Sequence, residues 1–396
     1  MVNTADLMRN IMLNAGRLDA LQNQAFSPHQ VNKAAVESGQ AMGYTLQVVE
    51  DPNADLMDSM EELSFQFEEK EMKAAGERKL GQSPRAAYLT AVETWQKVLP
   101  DMPGGEFMER MLRNLRQAQA NGQLPDAKQL LAKLGEGSGD PSHQFAMAEI
   151  LEQALGEGDS ELKALVAEAK RQLEEARGPE IRAGLNLAEE INAQAGDAAE
   201  MQNLRDLYRS EVLGFKGPQD CFRSLLASHG AGRMGEAVEF LIRGCSVDIA
   251  SATPSKSEPE LHRILEDLQC VNVLTAVMDK AGQLAGKMQS VFGIHCSMSG
   301  EAMAGKIMDF TEMPFVSAQN IAAFISDCGV NPLLAQLYFC TGLVGLFRQL
   351  SSRLFKDEEA REKLVDAGQE HLDGLVLLEE EAEEAEKREK DKESAA

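Results

Sequence analysis

The sequence predicts an all-α protein, and three observations support this fold class. Apolar residues recur at the i, i+3, i+4 and i+7 spacing of core-facing helices along most of the chain. Aromatic residues make up only 5% of the sequence while methionine is frequent, which favours helices packed through Leu, Met and Ala. Turn residues divide this pattern into successive helical hairpins. Because 396 residues exceed one ordinary core, we expect two or three domains.

The N-terminal arm, residues 1–52, departs from this pattern because it is polar and carries no durable apolar stripe. Such a composition predicts disorder in the free protein. Within the arm, Tyr44, Leu46 and Val48 alternate in the period-two pattern of a strand. This run is either an accident of composition or a strand that adds to a partner's sheet, because its own chain offers no second strand. Three apolar residues follow at helical spacing: Leu56, Leu63 and Phe67.

Helices then follow almost without a break. The sequence predicts a helix that ends before Pro100, a second that opens after the turn at 103–105, and a loop at 135–142. Asp159 is in position to cap the next helix. An interruption is predicted near 178–179, where proline follows glycine.

The clearest amphipathic pair is the hairpin of residues 220–248, two helices joined by a glycine-rich turn. Phe222 and Leu225 lie on the apolar stripe of the first helix, and Val238 and Leu241 lie on that of the second. Gly244 is in the place of a C-terminal cap. We expect these apolar residues to form the core of the middle bundle.

The C-terminal third is predicted from its start and stop signals. Ser257, with Glu260 three residues later, predicts a capping box at the start of a helix. Residues 292–305 are irregular and predict a boundary. Further helices are predicted to start at Ser317 and at Asn331, the second with proline at its first position, and Asp357 is predicted to cap the last helix.

Composition excludes several classes of function. A formal charge of −25 disfavours binding to nucleic acids and to anionic membrane surfaces. No apolar run approaches the ~18 residues of a membrane helix, and the N-terminus lacks the pattern of a secretory signal peptide. Six widely spaced cysteines without a CxxC pair predict reduced thiols in a cytoplasm.

Two motifs suggest a binding or catalytic site. Gly230, Gly232 and Gly235 match GxGxxG, but a dinucleotide site needs a preceding strand, and the residues before this turn have helical period. His295 and Cys296 suggest a metal site or a thiol nucleophile, yet no further ligand lies close in sequence. We therefore predict no catalytic, cofactor-binding or metal-binding residue, and no cofactor. Apolar surface and charge remain as carriers of function, which indicates an interaction protein.

Three stretches of the chain resemble the gatekeeper (plug) proteins of bacterial type III secretion, the HrpJ/InvE/MxiC/YopN–TyeA family. They are residues 58–80, 184–251 and 345–384, in family order. The second stretch is similar to the family's core signature, whose positions are Tyr208, Phe222, Leu225, Val238, Phe240, Leu241 and Gly244. The third resembles the TyeA-like module, with Phe347, Phe355 and Asp357 in the places of its terminal motif. A TyeA-like part on the same chain resembles the fused members of the family.

The resemblance implies an elongated array of three consecutive helical bundles behind the N-terminal arm. The expected divisions are an arm at 1–52, a first bundle at 53–158, a second at 159–285, a TyeA-like bundle at 286–385 and a charged tail at 386–396.

The resemblance also implies a function without catalysis. Gatekeepers act in the bacterial cytoplasm at the base of the injectisome, where they hold back effector export until translocators have gone or a host signal arrives. Expected partners are the cytosolic domain of the export gate, a type III secretion chaperone on the arm, and translocator chaperone complexes. The arm would carry the secretion signal, and its chaperone-binding residues would be Tyr44, Leu46, Val48, Leu56, Leu63 and Phe67. Many members are themselves exported after release.

Two alternatives from other classes stay open at this point. One is an all-α enzyme whose site is assembled from distant residues, with Cys296 or paired carboxylates as the acting groups. The other is a generic helical scaffold or an injected effector that acts on a host protein.

Overall fold

The computed structural model describes residues 84–156 and 158–395, and this part of the chain is built from α-helices without any strand. The all-α prediction is confirmed. The strand-like run at 44–49 and the anchors Leu56, Leu63 and Phe67 lie outside the described residues.

The helices in chain order are α1 (Pro84–Val98), α2 (Gly105–Ala120), α3 (Ala127–Gly137), α4 (Pro141–Ala154), α5 (Ser160–Asn186), α6 (Ala188–Gln194), α7 (Ala198–Tyr208), α8 (Pro218–His229), α9 (Ala231–Ala250), α10 (Glu258–Phe292), α11 (Gly300–Glu312), α12 (Ala318–Asp327), α13 (Leu333–Gln349) and α14 (Glu358–Ala395). A π-helical turn (Arg209–Leu213) follows α7, and a 3₁₀ turn (Ser352–Leu354) precedes α14.

Helices α1 to α5 enclose the first hydrophobic core, in which Met108, Leu130 and Met147 are fully buried. Helix α3 begins with a capping box, because Asp126 accepts from the Gln129 amide at 2.7 Å and its own amide donates to the Gln129 side chain at 3.1 Å. The predicted interruption in α5 is confirmed. The backbone leaves helical angles at residue 177, just before the proline that cannot donate a hydrogen bond.

The second core begins with the predicted hairpin, which the structure confirms as α8 and α9. Gly230 joins them with φ of +67°, a conformation that favours glycine, so the turn needs no further residues. Gly244 was predicted as a C-terminal cap, and this is wrong. Helix α9 continues to Ala250, so Gly244 lies inside the helix and is buried.

Helix α10 is the longest fully described element of the second core, with 35 residues. It passes without a break through the expected division at 285, and it packs against α8, α9, α11 and α13. Buried side chains from α8 to α14 therefore form one continuous hydrophobic cluster. The division into three bundles stays a prediction.

Start signals were only partly predicted. Ser317 precedes α12, with its amide donating to the Asn320 side chain at 2.9 Å, and Asp357 accepts from the Ala360 amide at 2.8 Å. Ser257 precedes α10, but its side chain caps nothing, so the predicted capping box is wrong. The predicted cap at residue 331 is also wrong by one residue, because the cap is the proline that follows.

None of the helices in the described part of the chain is both long and apolar enough to cross a membrane.

Candidate functional site

The two motifs with a chemical interpretation lie in and next to helices. The glycine motif lies between two helices, with Gly232 and Gly235 inside α9, so the strand that a dinucleotide site requires is absent at this place. His295 and Cys296 lie in the segment between α10 and α11. Within residues 84–156 and 158–395, no group of three His, Cys, Asp or Glu residues is arranged to hold a metal ion.

The signature residues lie in the second core, where all seven are buried. They are Tyr208, Phe222, Leu225, Val238, Phe240, Leu241 and Gly244. Gly244 permits a close approach of two elements: a Cβ atom there would lie 2.7 Å from a Leu187 methyl group and 3.2 Å from the Tyr208 ring. Because real Cβ atoms do not approach so closely, any larger residue would push α9 away from α7.

A buried carboxylate fixes the same region. Asp248 is fully buried and accepts from the Tyr208 hydroxyl at 2.8 Å, from the Asn186 side chain at 2.8 Å and from the Ser255 amide at 2.9 Å. The Ser255 hydroxyl donates as well. Burial and the nearby Asp248 charge raise the pKa of Tyr208 well above its ordinary value, so the phenol stays protonated and remains a donor. This cluster joins α5, α7 and α9 to the segment that leads into α10.

A second polar cluster, which we call the Arg205 junction, joins the two cores. It consists of Asp101, Asp140, His143, Arg205 and Arg209. Arg205 on α7 donates through Nη1 to Asp101 Oδ2 at 3.1 Å and places Nε 3.4 Å from Asp140 Oδ2. Arg209 Nη2 lies 2.8 Å from the same Asp140 oxygen, and His143 Nε2 lies 3.3 Å from Asp101 Oδ1. The two carboxylates and the histidine belong to the first core region. Arg205 lies on α7, and Arg209 lies in the π-helical turn that follows it.

Electrostatics in the junction favour the charged carboxylates. Burial alone would raise the pKa of Asp101, but hydrogen bonds and charge from His143 and Arg205 lower it to about 2. Burial also opposes ionisation of Asp140. The charge of Arg209, the hydrogen bond from Ser142 and the charges of His143 and Arg205 together outweigh it, so the pKa of Asp140 lies below its ordinary value. Asp101 Oδ1 and Asp140 Oδ2 have charged neighbours but no well-aligned hydrogen bond. The junction therefore combines hydrogen bonds to one oxygen of each carboxylate with charge pairing at the other oxygen.

The residues expected in the TyeA-like module are structural as well. The Phe347 ring meets Phe310 edge-on, with centroids 6.3 Å apart, and Phe355 is buried. Asp357 caps α14 as described above. The turn before it is tied back to the second core, because Arg353 Nε donates to Asp267 Oδ1 at 2.9 Å.

Side chains available for contact are the exposed large apolar ones, which the sequence analysis did not single out. Phe315, in the segment between α11 and α12, is 65% exposed, and Leu377 and Leu378 on α14 are 61% and 53% exposed. Others are Leu89, Val98, Val247 and Val291. A signal for the leucine pair was present, since two leucines in succession before a run of glutamates cannot both face one core.

Comparison with known protein families finds two matches along the chain. A family model described as the HrpJ-like domain matches residues 56–229, and the TyeA model matches residues 301–382. The two matches follow one another on a single chain and together cover more than half of it. The chain belongs to the HrpJ–TyeA family of type III secretion gatekeepers. It is a gatekeeper that regulates the order of export in bacterial type III secretion.

Relatives of this gatekeeper agree with the assignment. The outer membrane protein YopN of Yersinia pestis is 28% identical over 246 residues, which span 61% of this chain and 83% of YopN. The solved structure of methylated MxiC from Shigella flexneri has a TM-score of 0.55 at 18% identity, covering 70% of this chain and 98% of that one. A CopN–Scc3 complex has a TM-score of 0.50 at 20% identity, covering 71% and 98%. These structural likenesses show a shared fold.

Proposed function

We propose that this gatekeeper acts by occupancy, through a reversible contact with the cytosolic domain of the export gate and with no covalent step. The observation that carries the proposal is the placement of its family-signature residues. All are buried in a helical core, and the polar clusters beside them are occupied by internal partners, so the surface is left to act. A contact mechanism needs only apolar and charged surface, which this chain has.

The gate contact is assigned to Phe315, Leu377 and Leu378. All three lie within the TyeA match and are more than half exposed. The leucine pair is followed on α14 by glutamates, so an apolar surface with a basic rim would complement it. We place the gatekeeper in the bacterial cytoplasm at the base of the injectisome, where this surface would face the export gate. After release, the gatekeeper would itself be exported.

A second contact is assigned to the N-terminal arm. The alternation of Tyr44, Leu46 and Val48 supports addition of one strand to the sheet of a type III secretion chaperone. Leu56, Leu63 and Phe67 would follow as helical anchors. That the structure of CopN, which has the same fold, was solved in complex with Scc3 supports stable binding of a second protein. Translocator chaperone complexes are proposed partners of the same kind.

The gate contact is tested in a deletion strain that is complemented with variants of the full chain. Deletion of the gatekeeper should release effectors before host contact. Replacing both Leu377 and Leu378 with Asp should have the same effect, because the apolar contact is lost. Secreted effectors are measured by immunoblotting under non-inducing conditions. The matched control is Val291→Asp, which is similarly exposed at 54% but lies outside the TyeA match, and it should keep the block. Normal retention of effectors in the leucine variant would contradict the proposal.

The arm contact is tested by co-purification with the co-expressed chaperone. Leu46→Asp with Val48→Asp should abolish co-purification, because two charges would face the partner's apolar surface. Thr45→Asp with Gln47→Asp adds the same charge on the opposite side of the strand and should retain binding. Thermal unfolding of the full chain should be unchanged in both. Equal loss of binding in both double variants would exclude strand addition.

A further inference from the structure

Two cysteines that are distant in sequence meet beside the start of α11. The segment between α10 and α11 runs along the end of α12, where the Ser297 amide donates to the Cys328 carbonyl at 3.0 Å. The Ser297 hydroxyl donates to the neighbouring Asp327 carbonyl. These bonds hold the backbone of residue 296 close to that of residue 328, and such closeness is what a disulfide between the two residues requires.

The two thiols of this pair are close neighbours, since Cys296 acts on the pKa of the Cys328 thiol. Both cysteines are buried and reduced in this structure. Two of the other cysteines donate to backbone carbonyls instead: Cys245 to Leu261 at 3.4 Å and Cys340 to Gly368 at 3.7 Å. Of the six cysteines, all of which the structure describes, Cys296 and Cys328 are the two whose backbones the Ser297 bonds bring together.

We propose that Cys296 and Cys328 form an intramolecular disulfide when the folded protein meets a small-molecule disulfide such as oxidised glutathione. The bond would link the segment between α10 and α11 to the end of α12. It concerns the thiols alone, so it stands or falls independently of the gate and arm contacts.

The reaction is a thiol–disulfide exchange in two steps. Cys296 is the entry point, because it is 9% exposed while Cys328 is fully buried. Its thiolate attacks one sulfur of oxidised glutathione, the glutathione S–S bond breaks, and one glutathione leaves as thiolate and takes up a proton. The Cys328 thiolate then attacks the Cys296 sulfur of the mixed disulfide and releases the second glutathione. Two protein thiols are oxidised, and one glutathione disulfide is reduced to two thiols.

The second step is the slow one. Burial, the largest cause, raises the pKa of the Cys328 thiol far above its ordinary value, so little thiolate is present at neutral pH. We therefore expect oxidation that is slower than at an exposed thiol and that accelerates as pH rises.

The test uses the purified full chain, incubated with excess oxidised glutathione in mildly alkaline buffer and then quenched with acid. Free thiols are counted by mass after denaturation and alkylation, and two of the six should be lost. Trypsin cleaves at Lys306, between the two cysteines, so an intact bond should join peptide 288–306 to peptide 307–348 under non-reducing conditions. The joined peptides should separate on reduction.

Matched variants decide which thiol reacts. Cys340 shares its tryptic peptide with Cys328, so Cys340→Ser should keep the joined peptides, whereas Cys296→Ser and Cys328→Ala should each lose them. A circular dichroism melt of each variant establishes that it is folded. The proposal is overturned if the wild type keeps six thiols, if glutathione remains attached to Cys296 without closure, or if Cys340→Ser abolishes the link.

Discussion

Replacing Arg205 with alanine should lower the free energy of unfolding by about 3–5 kcal/mol, the cost of removing one partner from a buried ion cluster. Asp101 and Asp140 would remain in an environment where their side chains are 5% and 0% exposed, without the guanidinium that lies between them. Arg209 compensates only Asp140, so Asp101 would keep His143 alone. Urea unfolding followed by circular dichroism measures the change.

The matched control for this variant is Arg223→Ala. Arg223 also pairs with two carboxylates, Asp309 and Glu312, but its side chain is 44% exposed. Exposed ion pairs contribute only about 0–1 kcal/mol, because water already solvates both charges. If the two arginine variants lost stability equally, burial would not be what makes the Arg205 junction important.

The same junction should leave a mark on acid stability. The folded-state pKa of Asp101 lies at about 2, below its unfolded value of 3.8, so the native state binds fewer protons between these values. Asp101 therefore contributes stability that is present above about pH 4 and is lost as the pH falls towards 2. In Arg205→Ala the pKa depression shrinks, and the dependence of unfolding free energy on pH in this window should become flatter.

Replacing Asp248 with alanine should cost a similar amount, about 3–5 kcal/mol, because each buried donor left without an acceptor costs about 1–3 kcal/mol. The hydroxyls of Tyr208 and Ser255 and the Ser255 amide all lose their acceptor. Asp279→Ala, at an exposed position on α10, is the control and should stay within about 0.5 kcal/mol of the wild type.

A double variant separates lost hydrogen bonds from lost packing at this site. Adding Tyr208→Phe to Asp248→Ala removes a donor that the first change has left unpaired. The double variant should therefore be more stable than the sum of the two single losses predicts, by about 0.5–3 kcal/mol. Additive losses would mean that the Tyr208 hydroxyl is not coupled to Asp248.

The features of the fold that could be predicted from the sequence are those with a local signal. The amphipathic stripes of α8 and α9 have a fixed period, and the proline at 179 removes a backbone donor, so both the hairpin and the kink could be predicted. The prediction for Gly244 was wrong because the sequence pattern of a glycine after an apolar stripe is ambiguous. Such a glycine can end a helix, or it can lie inside one and let a neighbouring helix pack closely against it. Its neighbours, Leu187 and Tyr208, are distant in sequence, and only the fold brings them to it.

The polar clusters illustrate the same limit. Arg205 lies three residues before Tyr208 on α7, so both are on one helix face, and this spacing was the available sign that an arginine is buried. Nothing local connects it to Asp101, which lies in the segment after α1. Charged residues in an acidic, highly charged chain are usually solvated, and only tertiary structure distinguishes the few that are not.

Helix α10 gives the gatekeeper a mechanical property. At about 1.5 Å per residue, its 35 residues make a strut of about 52 Å without an internal break. It packs against α8 and α9, which precede the expected division in the chain, and against α11 and α13, which follow it. Because α10 contains no break that could serve as a hinge, we expect a displacement of the TyeA-matched helices to reach the hairpin of α8 and α9 through this helix.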